Sequence, residues 1–146
     1  MEQEQNIVAA EKELKKLVAG ADQSLKGFIA LGESFGLAMD YSLESLDNVE
    51  KLLVTFKSRS GFEEVKSDAW LYIGQCIVKS LDGKWGISND LNHYRSYYTL
   101  PVVTGFSKFH DEYCPMLEID RFLDYSKKAY FRTTIAAMQA GTYRDQ

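Results

Sequence analysis

The sequence predicts an α+β fold: three N-terminal helices, a small antiparallel β-sheet or hairpin, and a long C-terminal helix. Three observations carry that expectation. Apolar residues recur every three or four positions through 7–28 and again through 43–81. After Gly83 the pattern changes to alternating aromatic and β-branched residues. Helical spacing then returns behind Cys114-Pro115, proline being favoured in a first helical turn. The 146 residues hold no internal repeat, low-complexity tract or Pro/Ser-rich linker, so a single domain, 1–146, is expected.

The first helix is read from Ile7, Leu14, Leu17, Val18, Ala21, Leu25 and Phe28, which paint one face. Gly20 and Gly27 weaken it by ~1 kcal/mol each relative to alanine, and Gly32 and Gly36 end it. Ser42 is the expected N-cap of the second helix, with Glu44 at the positive end of its dipole. Leu43, Leu46, Val49, Leu52, Leu53 and Phe56 form its buried stripe, and Lys57 and Arg59 close it. Ser60-Gly61-Phe62-Glu63 has the capping-box form that would start a third helix.

Val65, Ala69, Ile73, Cys76, Ile77 and Leu81 continue that helix, with Gly74 on a side where another element can approach closely. The run WLYIGQCIV, residues 70–78, fits a strand as well, because short apolar runs are ambiguous by periodicity. Residues 84–88 form a strand candidate, 89–92 a turn, and 94–106 a hairpin or meander with Pro101 at an edge or bulge. The last helix carries Met116, Ile119, Phe122, Leu123, Tyr130, Ile135 and Met138, with a break near Ser126 and a stop at Gly141.

Composition narrows function. No apolar run approaches the ~20 residues of a membrane span, and MEQEQNIVAAEKELKK opens acidic and amphipathic, unlike a signal peptide. A cytoplasmic protein is expected. Seventeen basic against twenty-one acidic residues give a net charge of −4 with no basic stripe, which argues against nucleic acid and leaves a basic protein as the fitting partner. Cys76 and Cys114 form no CxxC or Cys/His pairing and read as small buried hydrophobes.

Gly32-Glu33-Ser34-Phe35-Gly36 matches the Gly-x-Ser-x-Gly pattern of a nucleophile elbow. An elbow needs a strand feeding the turn, and the segment before Ser34 reads as a helix tail. His110-Asp111-Glu112-Tyr113-Cys114 gathers metal-ligand types, but two histidines in the chain leave too few strong ligands for zinc. It reads as a polar loop leading into the last helix. The carboxylate pairs Glu63/Glu64 and Glu118/Asp120 read as solvated helix faces. No phosphate loop is present, and neither a metal nor a cofactor is expected.

Residues 40–85 are similar to a family of small uncharacterised bacterial proteins, on DYSLESLDNVEKLL, on Tyr72-Ile73-Gly74-Gln75 and on Gly83-Lys84-Trp85. This chain has Gln75 where those relatives often carry glutamate, and Asp82 where they carry the first of two glycines. The resemblance implies a helix over 62–81 followed by a strand, and implies no activity.

The remaining signal is aromatic. His93, Tyr94, Tyr97, Tyr98, Phe106 and Phe109 cluster with Arg95 and Lys108, and tyrosine and arginine carry binding energy at interfaces. Alternation sends half of such a cluster into the core. A non-enzymatic protein-binding protein is the leading expectation, such as a toxin-neutralising immunity protein or an adaptor. Its anchors would be Tyr94, Tyr97, Tyr98 and Phe109, with Asp90, Asp111 and Glu112 steering. The alternative is a small hydrolase using Ser34 or Cys114 with His93 or His110. A homo-oligomer through the heptad-like first helix is a third reading.

Overall fold

A computed structural model describes residues 2–88, 99–109 and 111–143, with side chains from Gln5 onward. Its elements run α1 (Glu2–Ala19), α2 (Ala21–Ser24), α3 (Lys26–Ser34), α4 (Leu46–Phe56), α5 (Phe62–Leu81), β1 (Lys84–Ile87), β2 (Pro101–Thr104), α6 (Pro115–Tyr125) and α7 (Tyr130–Ala140). The fold is α+β, with the sheet small and antiparallel.

Helix α5 is the centre. Leu71 to Ile77 are buried at seven successive positions, which one apolar stripe cannot explain. The helix is covered on several sides, by α3, α4, α6 and both strands. This resolves the ambiguity at 70–78 as helix. One core of buried residues links Ala21 and Phe28 through Leu53, Tyr72 and Val103 to Phe131 and Met138.

The expected first helix is three. Gly20 (φ −100°, ψ 8°) and Leu25 (φ −83°, ψ −5°) interrupt it, although Leu25 still donates to Ala21 O and receives Ile29 N–H. The second helix starts four residues later than its capping signal. Asp40 Oδ1 accepts both the N–H and the hydroxyl of Ser42, and Ser42 Oγ in turn accepts Ser45 N–H at 3.1 Å. These side-chain bonds hold residues 40–45 in turns, an alternative to helix open to aspartate and serine. The Ser60 capping box does not form either. Gly61 at φ +86° is the N-cap of α5, and no side chain caps the helix start.

In the sheet Lys84 pairs with Thr104, Trp85 with Val103, Gly86 with Val102 and Ile87 with Pro101. Proline stands at the first residue of β2, where a missing N–H is tolerated. Val103 also exchanges backbone bonds with Tyr113 at 2.9 and 3.0 Å, so β2 is lined on its other side by the segment that enters α6.

The long C-terminal helix of the sequence reading is two helices of eleven residues, parted at the break expected near Ser126. Ser126 (φ +54°) and Ala129 (φ +56°) both adopt the left-handed conformation in the connection. Glu50 of α4 supplies the new N-terminus with its cap, accepting the N–H groups of Ala129 at 3.0 Å and Phe131 at 3.1 Å. Among the described residues no helix is long and apolar enough to cross a membrane.

Candidate functional site

The described part of the expected binding surface is built on the C-terminal end of α7. Gly141, at φ +74°, ends that helix, and Ser107 Oγ donates to Met138 O at 3.1 Å. The same hydroxyl oxygen accepts Phe109 N–H at 3.1 Å, which fixes the loop. The Phe109 ring then lies over Gly141, where a Cβ would fall 2.8 Å from its Cζ. The ring thus sits where a side chain at position 141 would stand, and glycine leaves it the room. Phe109 remains 45% exposed, with Lys108 Nζ 5.3 Å from its ring centroid.

Beyond the end of β2 the two phenylalanines part. Phe106 is buried and meets Tyr113 edge-on, so it belongs to the core, whereas Phe109 faces outward. Glu112 accepts the Ser88 hydroxyl at 2.7 Å, tying this segment to the end of β1, and both Asp111 and Glu112 are half-buried. Phe109 is thus held against the end of α7 and Glu112 against the end of β1. Asp90, Tyr94, Tyr97 and Tyr98, with His93, Arg95 and His110, lie outside the described residues.

Joined to the Gly141 segment through Tyr143 is a polar cluster that the sequence reading missed. Glu118 is fully buried, not on a solvated face. Its Oε1 accepts the Tyr130 hydroxyl at 2.7 Å, and its Oε2 accepts the Tyr143 hydroxyl and Arg121 Nη1 at 3.2 Å. Arg121 Nη1 also donates to the Tyr143 oxygen at 2.6 Å. Tyr143 lies two residues beyond Gly141, so the segment carrying Gly141 is also held through a buried carboxylate. Burial, and then the hydrogen bond to Glu118, push the Tyr130 phenol above its ordinary range. Tyr113, buried and 2.7 Å from Thr134 Oγ1, is pushed up by burial and by the Glu118 charge. A cavity of about 340 Å³ opens beside the cluster between Arg121, Lys127, Tyr130 and Tyr143.

The signal for Glu118 was present: it falls three residues after Pro115 and four before Phe122, both buried, so it interrupts an apolar stripe. Glu50 interrupts the stripe of Leu46 and Leu53 in the same way, and is also buried.

The hydrolase residues are arranged differently. Ser34 ends a helix, and its hydroxyl donates to Leu31 O of the same helix at 2.6 Å; no strand feeds it. Cys76 and Cys114 are both fully buried. Burial pushes the Cys76 thiol up to about 12 and the Cys114 thiol up to about 11, away from the thiolate a nucleophile needs. Among the described residues no three His, Cys, Asp or Glu side chains are grouped to hold a metal ion.

Fold and site define a small helix-rich α+β chain in which Cys76 and Cys114 are buried, Ser34 is bonded within its own helix, and an exposed phenylalanine packs on Gly141. No family model, no curated protein and no solved structure matches it.

Proposed function

We propose that this chain is a non-enzymatic, cytoplasmic protein-binding protein, of the kind that neutralises a toxin or serves as an adaptor by covering a basic partner. The observation that carries the reading is the seating of Phe109. A half-exposed ring held on Gly141, with two half-buried carboxylates following it, is an aromatic anchor beside steering charge. A ring already packed on Gly141, with the Phe109 backbone N–H bonded to Ser107, lowers the ordering cost of association. The buried thiols and the helix-bound Ser34 hydroxyl favour binding over nucleophilic catalysis. Tyr94, Tyr97 and Tyr98 extend the proposed anchor set, and Asp90 its charge.

The test is capture of partners from host lysate by the tagged chain at moderate salt, repeated with Phe109→Ala and with Tyr94, Tyr97 and Tyr98 replaced together by alanine. A single basic partner is expected, lost at high salt and weakened by both variants while their thermal melts stay close to wild type. Undiminished capture by both folded variants would remove the site assignment. Fast single-site labelling by a fluorophosphonate would instead return the reading to a Ser34 hydrolase.

A further inference from the structure

The opposite end of α7 carries a different surface. Between α4 and the α6–α7 connection runs a groove of about 790 Å³, lined by Val54 and Phe122 and flanked by Lys51, Lys128 and Arg132. Val54 is 57% exposed and Phe122 only 4%, so the valine is the uncovered apolar side chain of the groove.

The charges on this groove are unequal in availability. Asp47 is engaged by the Arg132 fork, at 2.9 Å from Nε and 2.7 Å from Nη2. Glu50 is buried and occupied by the Ala129 and Phe131 N–H groups. Lys51 and Lys128 are exposed, and neither has an ion-pair partner among the described residues. Both carboxylates that line the groove are thus spent internally while two ammonium groups face solvent. On a chain of net charge −4 this is a local reversal of sign.

The presentation of Lys127 and Lys128 is built in. They are the two residues between Ser126 and Ala129, both held at positive φ, and Glu50 ties down the far end of the connection. The lysines are therefore carried on a short, constrained bridge rather than a loose loop.

We infer that this groove docks a short acidic peptide segment of a partner protein, with an apolar side chain against Val54 and Phe122 and carboxylates toward Lys51 and Lys128. Charge complementarity selects an acidic occupant, and the uncovered valine selects one with an apolar residue. Two lysines beside an apolar lining do not make the continuous stripe that a nucleic-acid backbone requires. The surface is separate from that of Phe109, which sits at the other terminus of α7.

The test uses the full chain and a fluorescein-labelled peptide of alternating glutamate and leucine, with a lysine-leucine peptide as control, read by fluorescence anisotropy at low salt. Preferential binding of the acidic peptide is expected. It should weaken about tenfold or more in Lys51→Glu/Lys128→Glu and in Val54→Asp, with unchanged thermal melts and with Phe109→Ala unaffected. Equal or tighter binding of the basic peptide, no loss in the folded charge-reversal variant, or equal loss in Phe109→Ala would each overturn the proposal. So would co-sedimentation with phosphatidylglycerol vesicles without peptide binding, which would assign the groove to a lipid surface.

Discussion

Trp85 fills the space that a side chain at Gly74 would take. A Cβ on Gly74 would fall 2.0 Å from the indole Cζ2 and Cη2, and the indole Nε1 donates to Gln75 Oε1 at 2.9 Å. The first strand is thereby locked to the central helix. Gly74→Ala should therefore destabilise, although alanine is intrinsically the better helix former. Displacing the indole from a packed site costs about 1–3 kcal/mol, and a lower thermal midpoint by circular dichroism is the expected result. An unchanged or raised midpoint would show that the ring relaxes freely.

Gln75 is needed as an amide because it both gives and receives. Its Oε1 accepts from Trp85 while its Nε2 donates to Asp22 Oδ1 at 3.1 Å, and Lys79 pairs with the other Asp22 oxygen at 3.1 Å. Gln75→Glu would set a carboxylate against Asp22, whose own pKa the Lys79 and Gln75 hydrogen bonds hold down. The variant should melt lower than wild type at neutral pH. The gap should narrow as acid protonates the pair, and a pH-independent gap would point to packing instead.

The Glu50 cap has a definite pH signature. Burial, acting against two backbone N–H donors, raises its carboxyl above the ordinary value. A folded-state value above the unfolded one means that the folded state binds the proton more tightly. Glu50 therefore contributes more stability as pH falls through its raised value, levelling off below the ordinary carboxyl range. Urea midpoints of wild type and Glu50→Gln between about pH 8 and about pH 4 should diverge in favour of wild type on acidification. Convergence would contradict the sign.

Removing Glu118 strands its partners. Glu118→Ala leaves two phenols and a guanidinium around a fully buried site, a class of change that costs about 3–5 kcal/mol. Tyr143→Phe removes one donor at about 1 kcal/mol. Limited proteolysis should show cleavage near Gly141 sooner in both variants, with the larger effect in Glu118→Ala. Wild-type resistance in Tyr143→Phe would mean that Phe109 alone holds that terminus.

Neither thiol should react in the native state. Cys76 and Cys114 are buried with thiols raised to about 12 and about 11, so Ellman's reagent near neutral pH should label none until denaturant exposes both. Rapid native labelling of Cys114 would revive the cysteine-hydrolase reading.

Much of this architecture was legible in residue spacing. The stripe of Leu46, Val49, Leu52 and Leu53 and the proline opening α6 are local patterns, and they appear in the expected elements. Helix limits were less so. The turn at 40–45 depends on which of several short polar side chains bonds first, and the division of α6 from α7 depends on Glu50, nearly eighty residues away in sequence. Of the aromatic cluster the described residues hold Phe106, which is buried, and Phe109, which is exposed; both lie beyond the end of β2, in turns where strand alternation does not apply.

By itself the sequence determined the helix-rich α+β class, the order from helices to strand to helices, and the burial of both cysteines, because these follow from local periodicity and side-chain polarity. Only tertiary structure decided that Gly74 receives Trp85, that Glu50 caps a distant helix, that Glu118 is buried among phenols, and that lysines and an uncovered valine share one groove. Each of these joins residues far apart in the chain. Their energies come from mutual burial and hydrogen-bond geometry, which exist only once the elements have packed.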